Sequence, residues 1–253
     1  MSNETKKMPF IGHIGELRKR IIWCLVFFAC GLIAGLAAAV PAIDYLLSVE
    51  PFNGFDLRAF SPWDGIRIYM QVAVLIGLIL SLPLIFHQIW LFVRPGLRPH
   101  EQRAALMYVP GAAVLLIAGL AFGYFVVFPL AVYFTGLMIG RLNLTETYGV
   151  VQYFSFMFNI LLPVSLMFEM PVIVLFLTKL RILNPKRLHR LRRYAYLALL
   201  IISALITPPD LLSALVVAVP MVLLYELGIV LSRIVYRKQL AADAAWEAEY
   251  GPK

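Results

Sequence analysis

The sequence predicts an all-α integral membrane protein of six transmembrane helices, with both termini on the cytoplasmic side and helices five and six short. Three observations carry that prediction. Hydrophobic residues make up 62% of the chain and charged residues 14%, and mean hydropathy is +0.85; a soluble domain averages about 25% charged, so a water-facing shell cannot be built from this composition. Apolar runs alternate with short polar gaps. Nineteen of the twenty-two Lys and Arg residues fall in every second gap, the other gaps holding only Arg58, Arg67 and Arg141. Cytoplasmic loops retain positive charge in this way. The net charge of +8 is thus explained by topology, and its lack of aromatic interleaving argues against nucleic acid as a partner.

A span needs about 20 apolar residues. A cytoplasmic amphipathic segment, 1–20, carries Phe10, Ile14, Leu17 and Ile21 as one stripe at helical spacing and His13, Glu16 and Arg20 as another. The six-helix domain, 21–236, follows. Its first span covers Ile21 to Val40. An outside loop, 41–67, holds Pro41, Pro51 and Pro62 and is acidic on balance. The second span runs from Ile68 to Val93, kinked at Pro83. The third runs from Ala104 to Pro129, with an outside loop to Val151. The fourth runs from Gln152 to Thr178 and contains Pro163 and Pro171. Ala195 to Ile206 gives a fifth span of only about 18 Å. From Leu211 the sixth meets Glu226 after about 22 Å. Both fall below a hydrocarbon core of about 30 Å, which predicts local thinning of the bilayer. The tail, 237–253, is polar, partly acidic and expected to be disordered. No leader peptide, internal repeat or second domain is expected.

The chain has no P-loop, HExxH or GxSxG motif, and His13, His87, His100 and His189 are dispersed without ligand spacing. Neither an enzyme nor a cofactor is expected. Cys24 and Cys30 stand about 240° apart on a helix and cannot pair locally; they are expected in the core. The informative residues are acids in places that should lack them. Glu16 and Glu101 are isolated carboxylates among the inward-facing basic segments. Each can be a charge-balancing partner, for Arg20 and Arg98 respectively, or the two together can receive two cations of one ligand, a role that suits guanidinium because it binds carboxylate in a bidentate fork. Glu169 lies about 15 Å from the Lys179 end of its span, where an ionisable group costs about 2.5–3.5 kcal/mol and must face the bundle interior or a polar cavity. Asp210 closes Thr207-Pro208-Pro209-Asp210 and is expected as the N-cap of the sixth helix. Glu226 is either an end group reaching the interface or a partner for nearby arginines.

Seven motifs in order, from His13 to Arg237, resemble the TatC family, the core receptor of the twin-arginine protein translocase. They are His13-x-x-Glu16-Leu17-Arg18-x-Arg20; Ser61-Pro62; Trp90-x-Phe92-x-x-Pro95-Gly96-Leu97-x-x-x-Glu101; Phe122-x-Tyr124-Phe125-x-Val127-x-Pro129-Leu130; Phe168-Glu169-x-Pro171; Arg192-Arg193-Tyr194 with Thr207-Pro208-Pro209-Asp210; and Pro220-x-x-x-Leu224-Tyr225-Glu226. The resemblance implies a concave bundle in a bacterial or archaeal cytoplasmic membrane. It implies binding of twin-arginine signal peptides on folded cargo and recruitment of small single-span TatA/TatB-type subunits and other TatC copies, with export driven by the proton gradient. The arginine-pair site it implies comprises Glu16, Glu101, His13, Arg18, Phe92 and Pro95; the intramembrane polar site comprises Glu169, Asp210, Thr207 and Glu226. After the Pro-Pro-Asp turn the family commonly has Ser-Gln where this chain has Ser213-Ala214. Two exposed Arg–carboxylate pairs at about 0.2–1 kcal/mol each fall far short of the roughly 8 kcal/mol of micromolar binding, so the signal's apolar segment must add the rest from lipid or from the bundle. A proton-coupled secondary transporter using Glu169 is the alternative, weakened by the absence of repeats.

Overall fold

The computed structural model describes residues 10–48, 57–93, 108–142, 147–207 and 211–250. The described residues are almost wholly helical. α1 (Phe10–Ser48) and α2 (Asp64–Val93) form an antiparallel pair. The third span is α3 (Tyr108–Phe122) and α4 (Phe128–Arg141), joined by a π-helical turn at Gly123–Val127. The fourth is α5 (Val150–Phe168) and α6 (Met170–Lys179), interrupted at Glu169. α7 (Pro185–Arg190) is a short connector, α8 (Arg192–Ile206) is brief, and α9 (Leu211–Tyr250) closes the chain. Among the described residues, five helical stretches are long and apolar enough to cross a membrane: Gly15–Ser48, Asp64–Phe92, Pro110–Arg141, Val150–Lys179 and Ala214–Ala241.

Glycine brings α1 against α2. A Cβ on Gly35 would stand 2.2 Å from the Ala73 carbonyl oxygen, one on Gly31 2.7 Å from that of Gly77, and one on Gly77 2.9 Å from the Leu32 backbone. Gly31-Leu32-Ile33-Ala34-Gly35 is therefore a small-xxx-small contact, in which absent side chains let backbones meet and van der Waals packing replaces the hydrophobic drive that lipid cannot supply. Gly119 does the same for α3 on α5, where a Cβ would meet Ser165 Cα at 2.8 Å. α5 forms the centre: Phe154, Ile160 and Val164 are fully buried, packed with Phe128, Val217 and Ile229 from other helices.

Two interruptions come from proline. Pro171 has no N–H to give the Met167 carbonyl and its ring would clash there, so the helix turns at Glu169, whose N–H donates to Leu166 O at 3.2 Å, and restarts with Pro171 in its first turn. Pro129 likewise removes a donor, and the preceding turn widens until the Phe128 N–H reaches Gly123 O.

Several expected boundaries move. The first helix does not end at Val40: Pro41 lies inside α1, which reaches Ser48. The third passes Pro129 and ends at Arg141, because the π turn absorbs the missing donor. The sixth helix is 40 residues long, not short. It runs past Glu226 because that carboxylate is paired, and through residues 237–250, where disorder was expected, because its end is docked. Gln239, 4% exposed, donates to Lys179 O at 2.9 Å, and Arg181 bonds Asp243 at 2.8 Å. α8, at 15 residues, keeps the expected short length, about 22 Å. Cys24 and Cys30 are free as expected, but Cys30 is exposed on α1 and outside the core. The α1–α2 and α4–α5 connections add a strand pair no helical periodicity announces: β1 (Leu57–Arg58) and β2 (Tyr148–Gly149) run parallel, with Leu57 opposite Tyr148.

Candidate functional site

The start of α1 and the end of α2 build the first polar site. Glu16 and Arg20 are four apart and share a helix face. Arg20 Nη2 donates to Glu16 Oε1 at 3.1 Å, and its Nη1 donates to Gln88 Oε1 at 3.2 Å. Gln88 is buried on α2, one position after His87, whose ring stacks on Trp90 with centroids 5.6 Å apart. A guanidinium is thus clasped between a carboxylate of one helix and an amide of the other. His13 belongs to the α1 helix, three residues before Glu16. Arg18, two residues on, is exposed and points away from Glu16. Phe92 is half-buried at the end of α2. Glu101 and Pro95 lie outside the described residues. Gln88 was not singled out in the sequence, although an amide within an apolar helix is itself a signal of an interhelical bond.

Glu169 forms the second. It sits at the α5–α6 break, 1% exposed, and neither carboxyl oxygen has a hydrogen-bond partner among the described residues. Ser165, one turn earlier, gives its hydroxyl to Leu162 O at 2.9 Å. Ala214, where the resemblance places an amide, is buried and offers no donor. A buried polar atom without a partner costs about 1–3 kcal/mol, a cost that the described residues do not offset at this carboxyl.

The other residues expected at that site are occupied elsewhere. Glu226 accepts from Arg192 Nη2 and from the Tyr196 hydroxyl, as expected of a partner for nearby arginines, and the adjacent Tyr225 hydroxyl donates to Leu188 O at 2.9 Å. Thr207 ends α8 and donates its hydroxyl to Ser203 O at 2.8 Å. Asp210 lies outside the described residues. Neither Glu226 nor Thr207 hydrogen-bonds Glu169. Glu226 is thus engaged in an Arg192–Tyr196–Glu226 cluster, while the Glu169 carboxyl has no hydrogen-bond partner among the described residues.

A family model described as Sec-independent protein translocase protein (TatC) matches residues 12–220. The chain is 41% identical over 245 residues to the Sec-independent protein translocase protein TatC of Halalkalibacterium halodurans, covering 97% of each. It is 41% identical over 242 residues to TatCy of Bacillus subtilis, covering 96% of this chain and 95% of that one. A crystal structure described as the twin arginine translocase receptor TatC superposes with a TM-score of 0.73 at 31% identity, over 88% of this chain and 99% of that chain. A second, in detergent, gives 0.76 at 31% identity. None of these relatives supports the secondary-transporter alternative.

Proposed function

The chain belongs to the TatC family of Sec-independent protein translocase proteins, and from that premise we propose that it is the subunit that receives twin-arginine signal peptides. It lies in the cytoplasmic membrane with both termini and the basic gaps inside, α8 acting as the short fifth of six spans. Glu16 and Glu101 receive the arginine pair, flanked by His13, Arg18, Phe92 and Pro95. The bundle and lipid take the signal's apolar segment. Small single-span TatA/TatB-type subunits and further TatC copies then assemble, and the proton gradient drives export of the folded cargo.

Family membership across the bundle carries this reading. The guanidinium already held by Glu16 supports the role of that carboxylate, since Arg20 has the side chain the signal would bring. Glu169 acts later, as an acceptor or donor for a polar group on a partner's transmembrane helix. Such bonds average about 0.6 kcal/mol and reach about 1.7, enough to bias docking without making it permanent. The direct test is photo-crosslinking from positions 16 and 101 to an Arg-Arg signal peptide and its Lys-Lys counterpart. Crosslinks that favour Arg-Arg are expected; equal crosslinking of both would refute the pair site.

A further inference from the structure

A basic pocket of about 390 Å³ opens where α7 meets residues 233–237 of α9, lined by Lys186, His189, Arg233, Tyr236 and Arg237 with Asn184. Its volume falls in the roughly 300–1,000 Å³ range of small-ligand sites. Among the described residues no carboxylate lines it, and two acids of α9 are paired elsewhere, Asp243 with Arg181 and Glu226 with Arg192. Among the described residues, Lys186, Arg233 and Arg237 have no acidic partner.

The pocket is also ordered from within. Arg233 Nη2 lies 3.2 Å from His189 Nδ1. Guanidinium can only donate, so Nδ1 accepts and the imidazole proton of the neutral ring is on Nε2. The pair fixes the guanidinium while leaving its other donors and the Nε2–H free. Asn184 Nδ2 donates to the Tyr236 hydroxyl at 3.4 Å, joining the connector to α9. Several donors, three cations and no anion call for a phosphate.

The source of that phosphate follows from position. α6 has just ended at Lys179, and Ser232 of α9 is hydrogen-bonded to Thr178 beside that end, so Arg233 and Arg237 stand on the turns where the span leaves the apolar core, at headgroup depth. Leu223, Leu227, Val230 and Ile234 are all exposed. At spacings of three and four they make one stripe that leads to Arg237. A soluble phosphate has no use for that stripe; acyl chains do. We propose that the pocket holds the phosphate of an anionic phospholipid, with its chains along the Leu223–Ile234 face. On the topology proposed above the lipid belongs to the cytoplasmic leaflet, where anionic headgroups and basic pockets between helices meet.

Native mass spectrometry of the purified protein in detergent tests this without reference to signal peptides. Phosphatidylglycerol should bind more tightly than phosphatidylcholine with the same chains. A cation near an anionic surface contributes about fivefold, so R233Q/R237Q should weaken phosphatidylglycerol by about 25-fold and K186Q by about fivefold, with Arg141→Gln at the other end unchanged. All of these side chains are exposed, and unchanged thermal unfolding will verify that the variants fold. Equal binding of the two lipids, or undiminished phosphatidylglycerol binding by R233Q/R237Q, would overturn the proposal. Displacement of the lipid by millimolar inorganic phosphate would reassign the pocket to a soluble anion and overturn it as well.

Discussion

Glu16 is held before any ligand arrives. Arg20 occupies one of its oxygens and Gln88 at once, so an incoming arginine must displace a side chain of its own kind. An ion pair of this exposure is worth about 0.2–1 kcal/mol. Arg20→Ala is therefore expected to raise crosslinking of an Arg-Arg peptide by up to about fivefold; a fall would mean that Arg20 positions Glu16 and does not compete for it. Glu101→Ala should cut crosslinking while membrane insertion and protein level hold, and Glu16→Ala should do so less, since its carboxylate is already engaged. Undiminished crosslinking in the double substitution would end the composite-site idea. Glu169→Gln keeps a hydrogen-bonding group and should retain most export, whereas Glu169→Ala should weaken partner crosslinking and export together. Wild-type export by Glu169→Ala with partner contacts unchanged would mark the residue as structural. The acids were legible because each stood where composition disfavours it. Their surroundings were less so: Glu16–Arg20 follows from helical spacing, but Gln88 reaches Arg20 and Tyr196 reaches Glu226 from other helices, and tertiary placement has no local signature in one chain.

At the level of elements, periodicity located the second, fourth and fifth helices to within a few residues, and missed where proline is tolerated. Pro41, Pro129 and Pro220 all lie inside helical stretches, because neighbouring turns and the π segment take up the unmatched carbonyls. Pro171 breaks its helix and so sets the buried turn at Glu169. The Gly31–Gly35 contact was visible as a five-residue pattern, yet only geometry says which face it serves. Gly35→Ala forces a methyl to 2.2 Å from a backbone oxygen, and should cost about 1–3 kcal/mol as overpacking does. Gly65→Ala, with nothing within 4 Å, should cost little. Thermal unfolding in detergent compares them; equal midpoints would show that α1 and α2 separate without penalty.

For the whole molecule, charge segregation was the strongest signal, since it summed weak loop preferences over the entire chain. It predicts that single cysteines near Phe55 and Asn143 label from outside while Arg98 and Leu188 do not. Outside labelling of Arg98 would reverse the topology. What charge could not announce was how the last helix ends. Hydropathy falls after Glu226 and the sequence turns polar, but Gln239 and Asp243 find partners on the α6 end and the intervening connector, so the helix persists. Forty residues make about 60 Å, twice the hydrocarbon thickness. A fluorophore at Tyr250 would accordingly ride at a set stand-off from the bilayer, with a narrow distance distribution, instead of wandering as on a tether.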